Sequence, residues 1–167
     1  MTVAQAPGAI TTVRAVSACR TVVAGTDGSE SSLRAVARAG ALAGSCGATL
    51  VVASAHLPTE VDDRELSRAR DVLRDGAHQV VGSHPAEDTV RRAADAARAA
   101  GAGEVRTVTV VGSPVEAPLD VVAREEADLL VVGDRGLTSV QGRLLGSVPS
   151  DATRRSTCDV LVVHTTG

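Results

Sequence analysis

The sequence predicts an α/β fold, with a single open parallel sheet covered by helices on both faces. Short apolar runs alternate along the chain with longer segments of helical periodicity, which is the pattern of repeated strand–helix–strand units. The run at residues 49–55 is continuously apolar, as in strands that are covered on both faces. The 167 residues suit one domain of this kind, and no Gly/Ser-rich linker or internal repeat divides them.

The predicted elements follow one another in a regular order from residue 21 onward. The predicted strands are residues 21–26, 49–55, 105–111, 129–132 and 160–164. Helical periodicity and helix-start residues predict helices that begin at Ser29 or Ser31, cover residues 62–81, cover residues 85–100, run from Gly112 to Glu126 and cover residues 150–155. This alternation gives parallel strands joined by right-handed crossovers, with a ligand site where the strand order reverses.

Composition and charge exclude several classes of function. The net charge is −3 at pH 7 and the chain contains no Phe, Tyr or Trp, so it lacks the basic surface and the aromatic side chains with which proteins bind nucleic acid. The longest apolar runs are too short to span a membrane. The three cysteines are widely spaced and form no metal-binding motif, which is typical of reduced thiols in a cytoplasmic protein.

Residues 1–19 are predicted to form a flexible extension ahead of one domain at residues 20–167. Residues 16–19 also resemble the cleavage box of a bacterial lipoprotein signal. The segment before them has no basic residue up to Thr12 and is interrupted by Arg14, which favours the extension.

The strongest functional signal follows the fourth predicted strand. Gly133, Gly136, Gly146 and Ser147 form the spacing G-x2-G-x9-G-S. Because glycine has no Cβ, main-chain N–H groups there can approach a bound anion, and the start of the next helix adds free N–H groups and partial positive charge. The alternative is that these glycines only form turns and helix caps. The full spacing with its terminal Gly-Ser favours phosphate binding.

Motifs of other nucleotide-binding and catalytic sites are absent from the sequence. It has neither GxxxxGK(S/T) nor GxGxxG after its first strand, and no His lies near Ser147 in the sequence to form a nucleophile–base pair. We therefore expect a binding protein rather than a rapid enzyme. The alternative is slow ATP hydrolysis, if phosphates and Mg²⁺ meet in the crevice.

Three segments closely resemble the universal stress protein family: VVAGTDGSESSLRAV, ADLLVVGDRG and RLLGSVPSDATRRSTCDVLVVH. The resemblance covers about residues 20–164, and the glycine motif is the one carried by the ATP-binding branch of the family. It implies the strand order 3-2-1-4-5, homodimers often paired through the last strand, and a stress or dormancy role in the cytoplasm.

The resemblance also implies nucleotide-binding roles for particular residues. The ends of the first two strands contact adenine and ribose, the end of the fourth strand lies under ribose and phosphates, and the start of the last helix holds the phosphates. In that order the residues are Gly25, Thr26, Asp27 and Ser54; Val132, Gly133, Arg135 and Gly136; and Gly146, Ser147 and Val148. Asp27 has the alternative or additional role of capping the first helix, and Arg143 is more typical of a solvent-exposed residue than of a phosphate contact.

Pro149 departs from the family pattern, in which many members have Ser or Thr with a hydroxyl and an N–H for phosphate. Proline offers neither group. Together with the VVHTT segment near the C-terminus, this resembles members that bind cyclic AMP. ATP and cyclic AMP are both expected ligands, with Mg²⁺ accompanying ATP. The implied function is sensing or buffering of adenine nucleotides; the alternatives are a weak ATPase and a dimeric interaction scaffold with a vestigial nucleotide site.

The last strand predicts how two copies of the chain pair. Val160, Leu161, Val162 and Val163 carry no charge, and an edge strand of this kind presents unpaired N–H and C=O groups. We expect a homodimer formed in part by this strand.

Overall fold

The computed structural model of the chain describes residues 19–56, 85–135 and 146–165. The strands in these ranges are β1 (Thr21–Gly25), β2 (Thr49–His56), β3 (Glu104–Val111), β4 (Leu129–Gly133) and β5 (Asp159–Val163). The helices there are α1 (Glu30–Cys46), α2 (Pro85–Ala99), α3 (Glu116–Arg124) and α4 (Ser147–Arg155). All strand pairs are parallel, and the sheet order β3-β2-β1-β4-β5 confirms the predicted order.

Helix α4 begins earlier than predicted. It starts at Ser147 instead of residue 150, because Gly146 has an extended backbone (φ −67°, ψ 172°) and forms the N-cap. Pro149 is compatible with this first turn, where an N–H group has no intrahelical partner. Gly146 and Ser147 were predicted to precede the helix, and they are instead its cap and its first residue.

Helix α3 is shorter than predicted at both ends. Before it, Ser113 forms a turn in which its side-chain oxygen accepts a hydrogen bond from the N–H of Glu116 (3.1 Å). After it, Glu126 takes a left-handed conformation (φ 46°) that stops the helix. The predicted helix over residues 62–81 and residues 1–18 of the predicted extension lie outside the described residues.

The inner strands β1, β2 and β4 lie between two layers of aliphatic side chains, which confirms the predicted burial of β2 on both faces. On one face, Val22 and Leu50 pack against α1 and α2. On the other face, Val23 and Leu130 pack against α3 and α4. Of the helices in the described ranges, none combines the length and the apolar character needed to cross a bilayer.

The strand order reverses between β1 and β4, which are neighbours in the centre of the sheet. The chain leaves β1 through α1 on one face, and it enters β5 from β4 through α4 on the other face. The two connections therefore diverge and leave a crevice above the carboxyl ends of β1 and β4. The glycine-bearing segments predicted to face a ligand follow these two strands.

Candidate functional site

The turn after β1 is held by Thr26, which is buried at 8% exposure. Its hydroxyl lies 2.9 Å from the Ser32 hydroxyl and accepts a hydrogen bond from the N–H of Gly28 (3.1 Å). Its own N–H donates to the Ala53 carbonyl at 2.9 Å. The hydroxyl and amide of Thr26 are thus engaged within the protein, where they fix the shape of the turn.

Asp27 supports the cap of α1 without being the cap. Its Oδ1 accepts hydrogen bonds from the N–H (3.0 Å) and the hydroxyl (2.6 Å) of Ser29. Ser29 is the N-cap, and its hydroxyl oxygen accepts from the N–H of Ser32 (3.1 Å). The start of α1 directly follows this turn, so its partial positive charge lies next to the crevice.

The ends of β1 and β4 meet as predicted. A Cβ placed on Gly25 would lie 3.7 Å from Cγ1 of Val132 and 3.6 Å from Cβ of Pro118 in α3. A Cβ placed on Gly133 would lie 3.3 Å from both the Ser31 hydroxyl oxygen and the Arg135 carbonyl oxygen. These two strand ends form the floor of the crevice, and Gly133 is glycine because α1 and the following turn approach it closely.

The start of α4 returns to the end of β4. The N–H of Gly146 donates to the Asp134 carbonyl at 3.0 Å, which joins the two glycine-bearing segments. The Gly146 amide is therefore not one of the donors that face an anion. The N–H groups of Ser147 and Val148 have no partner among the described residues, and α4 has no side-chain cap. Two backbone donors and the positive end of the helix dipole remain there for an anion.

The remaining predicted residues are placed as follows. Ser54 is buried in β2, next to Ala53, whose carbonyl accepts from the end of β1. The Arg135 side chain is exposed, and its carbonyl accepts a hydrogen bond from the Ser31 hydroxyl at 2.9 Å. Gly136 and Arg143 lie outside the described residues.

Sequence reasoning missed a polar cluster beneath the turn after β4. Asp134 is only 3% exposed, and its Oδ1 accepts hydrogen bonds from the N–H (3.1 Å) and the hydroxyl of Thr165. Its Oδ2 lies 3.3 Å from Nδ1 of His164. The Thr165 hydroxyl lies 2.6 Å from the Ser31 hydroxyl, and the Thr165 carbonyl accepts from Arg34 at 2.6 Å. We call Ser31, Arg34, Asp134, His164 and Thr165 the Asp134 cluster.

One signal in the sequence could have indicated this cluster. A carboxylate between two glycines of an anion-binding segment is out of place unless it has its own partners. Burial would raise the pKa of the Asp134 carboxyl, but the hydrogen bonds from Thr165, together with His164, outweigh it and hold that pKa below its ordinary value. Asp134 is therefore ionised at neutral pH, and both of its oxygens have partners within the cluster.

The described site is suited to anion binding. It offers the backbone N–H groups at the start of α4, beside Gly25 at the end of β1 and Gly133 at the end of β4. Across residues 19–56, 85–135 and 146–165, no group of three or more His, Cys, Asp or Glu side chains is arranged to hold a metal ion.

The sequence is similar throughout its described length to one family of proteins. A sequence model of the universal stress protein family matches residues 19–164. The universal stress protein Rv1636 of Mycobacterium tuberculosis is 48% identical over 151 residues, which are 90% of this chain and 100% of that protein. A universal stress protein of Thermus aquaticus is 31% identical over 145 residues, covering 87% of this chain and 98% of that protein.

Solved structures give the same result. The crystal structure of a universal stress protein in complex with cAMP has 44% sequence identity and a TM-score of 0.69, covering 90% of this chain and 100% of that chain. A universal stress protein of Archaeoglobus fulgidus in complex with dAMP has 20% identity and a TM-score of 0.58, covering 86% of this chain and 96% of that chain. At that lower identity the second likeness supports the fold alone.

Proposed function

We propose that this chain, which belongs to the universal stress protein family, binds an adenine nucleotide in the crevice between β1 and β4. The observation that carries the proposal is the start of α4. The Gly146 amide ties it to the end of β4, and the N–H groups of Ser147 and Val148 have no partner among the described residues. A phosphate accepts hydrogen bonds from such donors and is attracted by the helix dipole.

The number of donors favours a ligand with one phosphate group. Pro149 is the third residue of α4 and has no N–H, so the first turn offers the amides of Ser147 and Val148 alone. The cAMP complex of a relative with 44% identity supports the same choice. We propose that cyclic AMP or AMP competes with ATP at comparable concentrations, and that Mg²⁺ accompanies ATP when it binds.

The nucleoside part of the ligand fits the aliphatic floor of the crevice. The chain has no Phe, Tyr or Trp on which adenine could stack. We place the adenine against the main chain near Ser54 and the end of β1. Gly25, Thr26 and Asp27 at that end also border the ribose, and Val132 lies under the ribose. In this position Gly133 and the turn that follows it lie beneath the ribose and the phosphate, as the sequence resemblance implies for Gly133, Arg135 and Gly136.

The cellular role that we propose is sensing or buffering of adenine nucleotides in the cytoplasm during stress. We also propose a homodimer through Val160, Leu161, Val162 and Val163. These residues form most of β5, which is an edge of the sheet, and each of them is only partly buried in the single chain.

The proposal is tested by placing a negative charge at the cap of α4. A Cβ on Gly146 would have 3.5 Å to its nearest neighbour, the Asp134 carbonyl, so the backbone tolerates a side chain there. Gly146→Glu should weaken cyclic AMP binding at least about a hundredfold, because like charges in contact cost several kcal/mol. Isothermal titration calorimetry with cyclic AMP, AMP, ATP and GTP measures this loss.

Two matched variants serve as controls. Gly146→Ala adds the Cβ without the charge and should keep the wild-type affinity within a few-fold. Gly103→Glu adds the same charge at an exposed position with nothing within 4 Å of the new Cβ, and it should bind like the wild type. Equal affinity of Gly146→Glu and the wild type, or no binding of any adenine nucleotide by the wild type, contradicts the proposal.

A further inference from the structure

We infer that the Thr165 hydroxyl is a positioning group for the nucleotide: through Asp134 and Ser31 it holds the turn after β4 in its binding conformation. The segment after β5 then contributes to nucleotide affinity although it does not contact the nucleotide. This inference rests on the proposed function, since it concerns the affinity of the same crevice.

Asp134 connects three parts of the molecule at one point. It lies between Gly133 and Arg135, which border the proposed phosphate position. Its carbonyl accepts the N–H of Gly146, and its carboxylate accepts two hydrogen bonds from Thr165. The end of β4, the start of α4 and the segment after β5 therefore cannot move independently while these bonds are made.

Thr165 extends this connection to α1. Its carbonyl accepts a hydrogen bond from the Arg34 guanidinium at 2.6 Å, and its hydroxyl lies 2.6 Å from that of Ser31. Thr165 itself is 5% exposed. Thr165 therefore connects α1 with the turn after β4, which are the two walls of the crevice.

The chemistry of the groups fixes the direction of the hydrogen bonds. An ionised carboxylate only accepts, so the Thr165 hydroxyl donates to Asp134. The Thr165 oxygen must then accept from Ser31, whose single hydroxyl proton is shared with the Arg135 carbonyl at 2.9 Å. Ser31 thus holds the carbonyl of the turn and the Thr165 hydroxyl together. Removing the Thr165 hydroxyl interrupts this series of hydrogen bonds between Asp134 and Ser31.

These hydrogen bonds should affect the affinity for the nucleotide as well as the stability of the fold. The Ser31 hydroxyl oxygen and the Arg135 carbonyl oxygen would each lie 3.3 Å from a Cβ on Gly133, so the turn and α1 are in close contact. A shift of either oxygen moves the turn on which the proposed ligand rests. Because coupling between sites is reciprocal, a bound nucleotide should in turn hold Thr165 in place.

The test compares Thr165→Val with Thr165→Ser by calorimetry with cyclic AMP. Valine keeps the shape of threonine and lacks the hydroxyl, so we expect affinity to fall about five- to tenfold. Serine keeps the hydroxyl, so we expect affinity within about twofold of the wild type by the same reasoning. Thr107→Val makes the same substitution at an exposed position of β3 and should have no effect. Thermal unfolding establishes that each variant is folded at the assay temperature.

A second readout uses the unmodified protein. The Thr165 N–H donates to Asp134, so its hydrogen exchange, followed by nuclear magnetic resonance, reports how often this contact opens. Saturating cyclic AMP should slow that exchange by a factor comparable to the loss of affinity in Thr165→Val. This measurement decides the matter if Thr165→Val fails to fold.

The outcomes separate the two proposals. Failure of the wild type to bind any adenine nucleotide overturns the proposed function and, with it, this inference. Binding by the wild type with unchanged affinity in Thr165→Val, or with an unchanged exchange rate at Thr165, overturns the inference alone. Equal losses in the valine and serine variants also overturn it, since the packing of the threonine side chain rather than its hydroxyl would then set the affinity.

Discussion

Pro149 limits the hydrogen-bond donors at the first turn of α4. Gly146 directs its amide to Asp134 and proline has none, so only two of the first backbone positions remain for a ligand. In the proposed site, the proline at position 149 would therefore favour nucleotides with one phosphate over those with three.

Restoring an amide at position 149 should shift this choice. In Pro149→Ser and Pro149→Ala the new N–H can reach a second phosphate, so the ratio of ATP affinity to cyclic AMP affinity should rise by one to two decades, about 1.5–3 kcal/mol. Calorimetry with both nucleotides measures the ratio. If the amide is responsible, the two variants behave alike. A wild-type protein that already binds ATP a hundredfold more tightly than cyclic AMP contradicts this argument.

Single residues near the crevice were predictable to different degrees. The spacing of Gly133 and Gly146 predicted phosphate binding, which stays a prediction. The contact between the two segments, in which the Gly146 N–H donates to the Asp134 carbonyl, was not predicted. The roles of Thr26 and Gly146 were harder to predict, since both donate within the protein. Asp134 and Thr165 lie 31 positions apart, and no local pattern links residues at such a distance in an α/β fold.

At the scale of whole elements, glycines set the distance between α1 and α2. A Cβ on Gly40 would lie 2.5 Å from the Ala97 carbonyl oxygen and 2.9 Å from its Cα. The neighbour is backbone, which cannot rotate away as a side chain can. The two helices are therefore as close as their main chains permit.

Gly40→Ala should consequently destabilise the protein although alanine is the better helix former. The gain in helix propensity is about 1 kcal/mol, and the clash with the backbone of α2 must exceed it. We expect a net loss of about 1–3 kcal/mol in the free energy of unfolding, measured by urea denaturation. Gly103→Ala, at an exposed position with open space around its Cβ, is the control and should cause no loss. Equal stability of both variants would show that the helices separate easily.

The elements were more predictable than the site. Each described strand agrees with its predicted bounds within one residue. The predicted start of α4 at residue 150 is wrong, because glycine is compatible with the cap of a helix and proline with its first turn. The strand order followed from the resemblance to a family, since periodicity alone does not order strands.

The two edges of the whole sheet differ in chemistry. β3 carries exposed polar residues, including Glu104, Arg106 and Thr107, whereas β5 is apolar from Val160 to Val163. Charged edge strands resist pairing with another chain, and uncharged ones permit it. Of these two edges in the described part of the chain, β5 is the better suited to the self-association that we propose.

We expect light scattering to give a dimer for the wild type and a monomer for Val162→Lys. A lysine in β5 places a charge on a partly buried position of the edge strand and so blunts it for pairing. Thr107→Lys places the same residue on the opposite edge and should remain dimeric. Circular dichroism checks that both variants keep the fold. A wild-type monomer at micromolar concentration, or a dimer that persists in Val162→Lys, contradicts pairing through β5.

Because the layers on both faces of the sheet are built from aliphatic side chains alone, the protein has an unusual ultraviolet spectrum. A chain without Phe, Tyr or Trp has almost no absorption in the near ultraviolet and no intrinsic fluorescence. The absorption band of an adenine ring retained during purification would stand alone in the spectrum. In this protein, the spectrum of the freshly purified sample is itself a measurement of nucleotide occupancy.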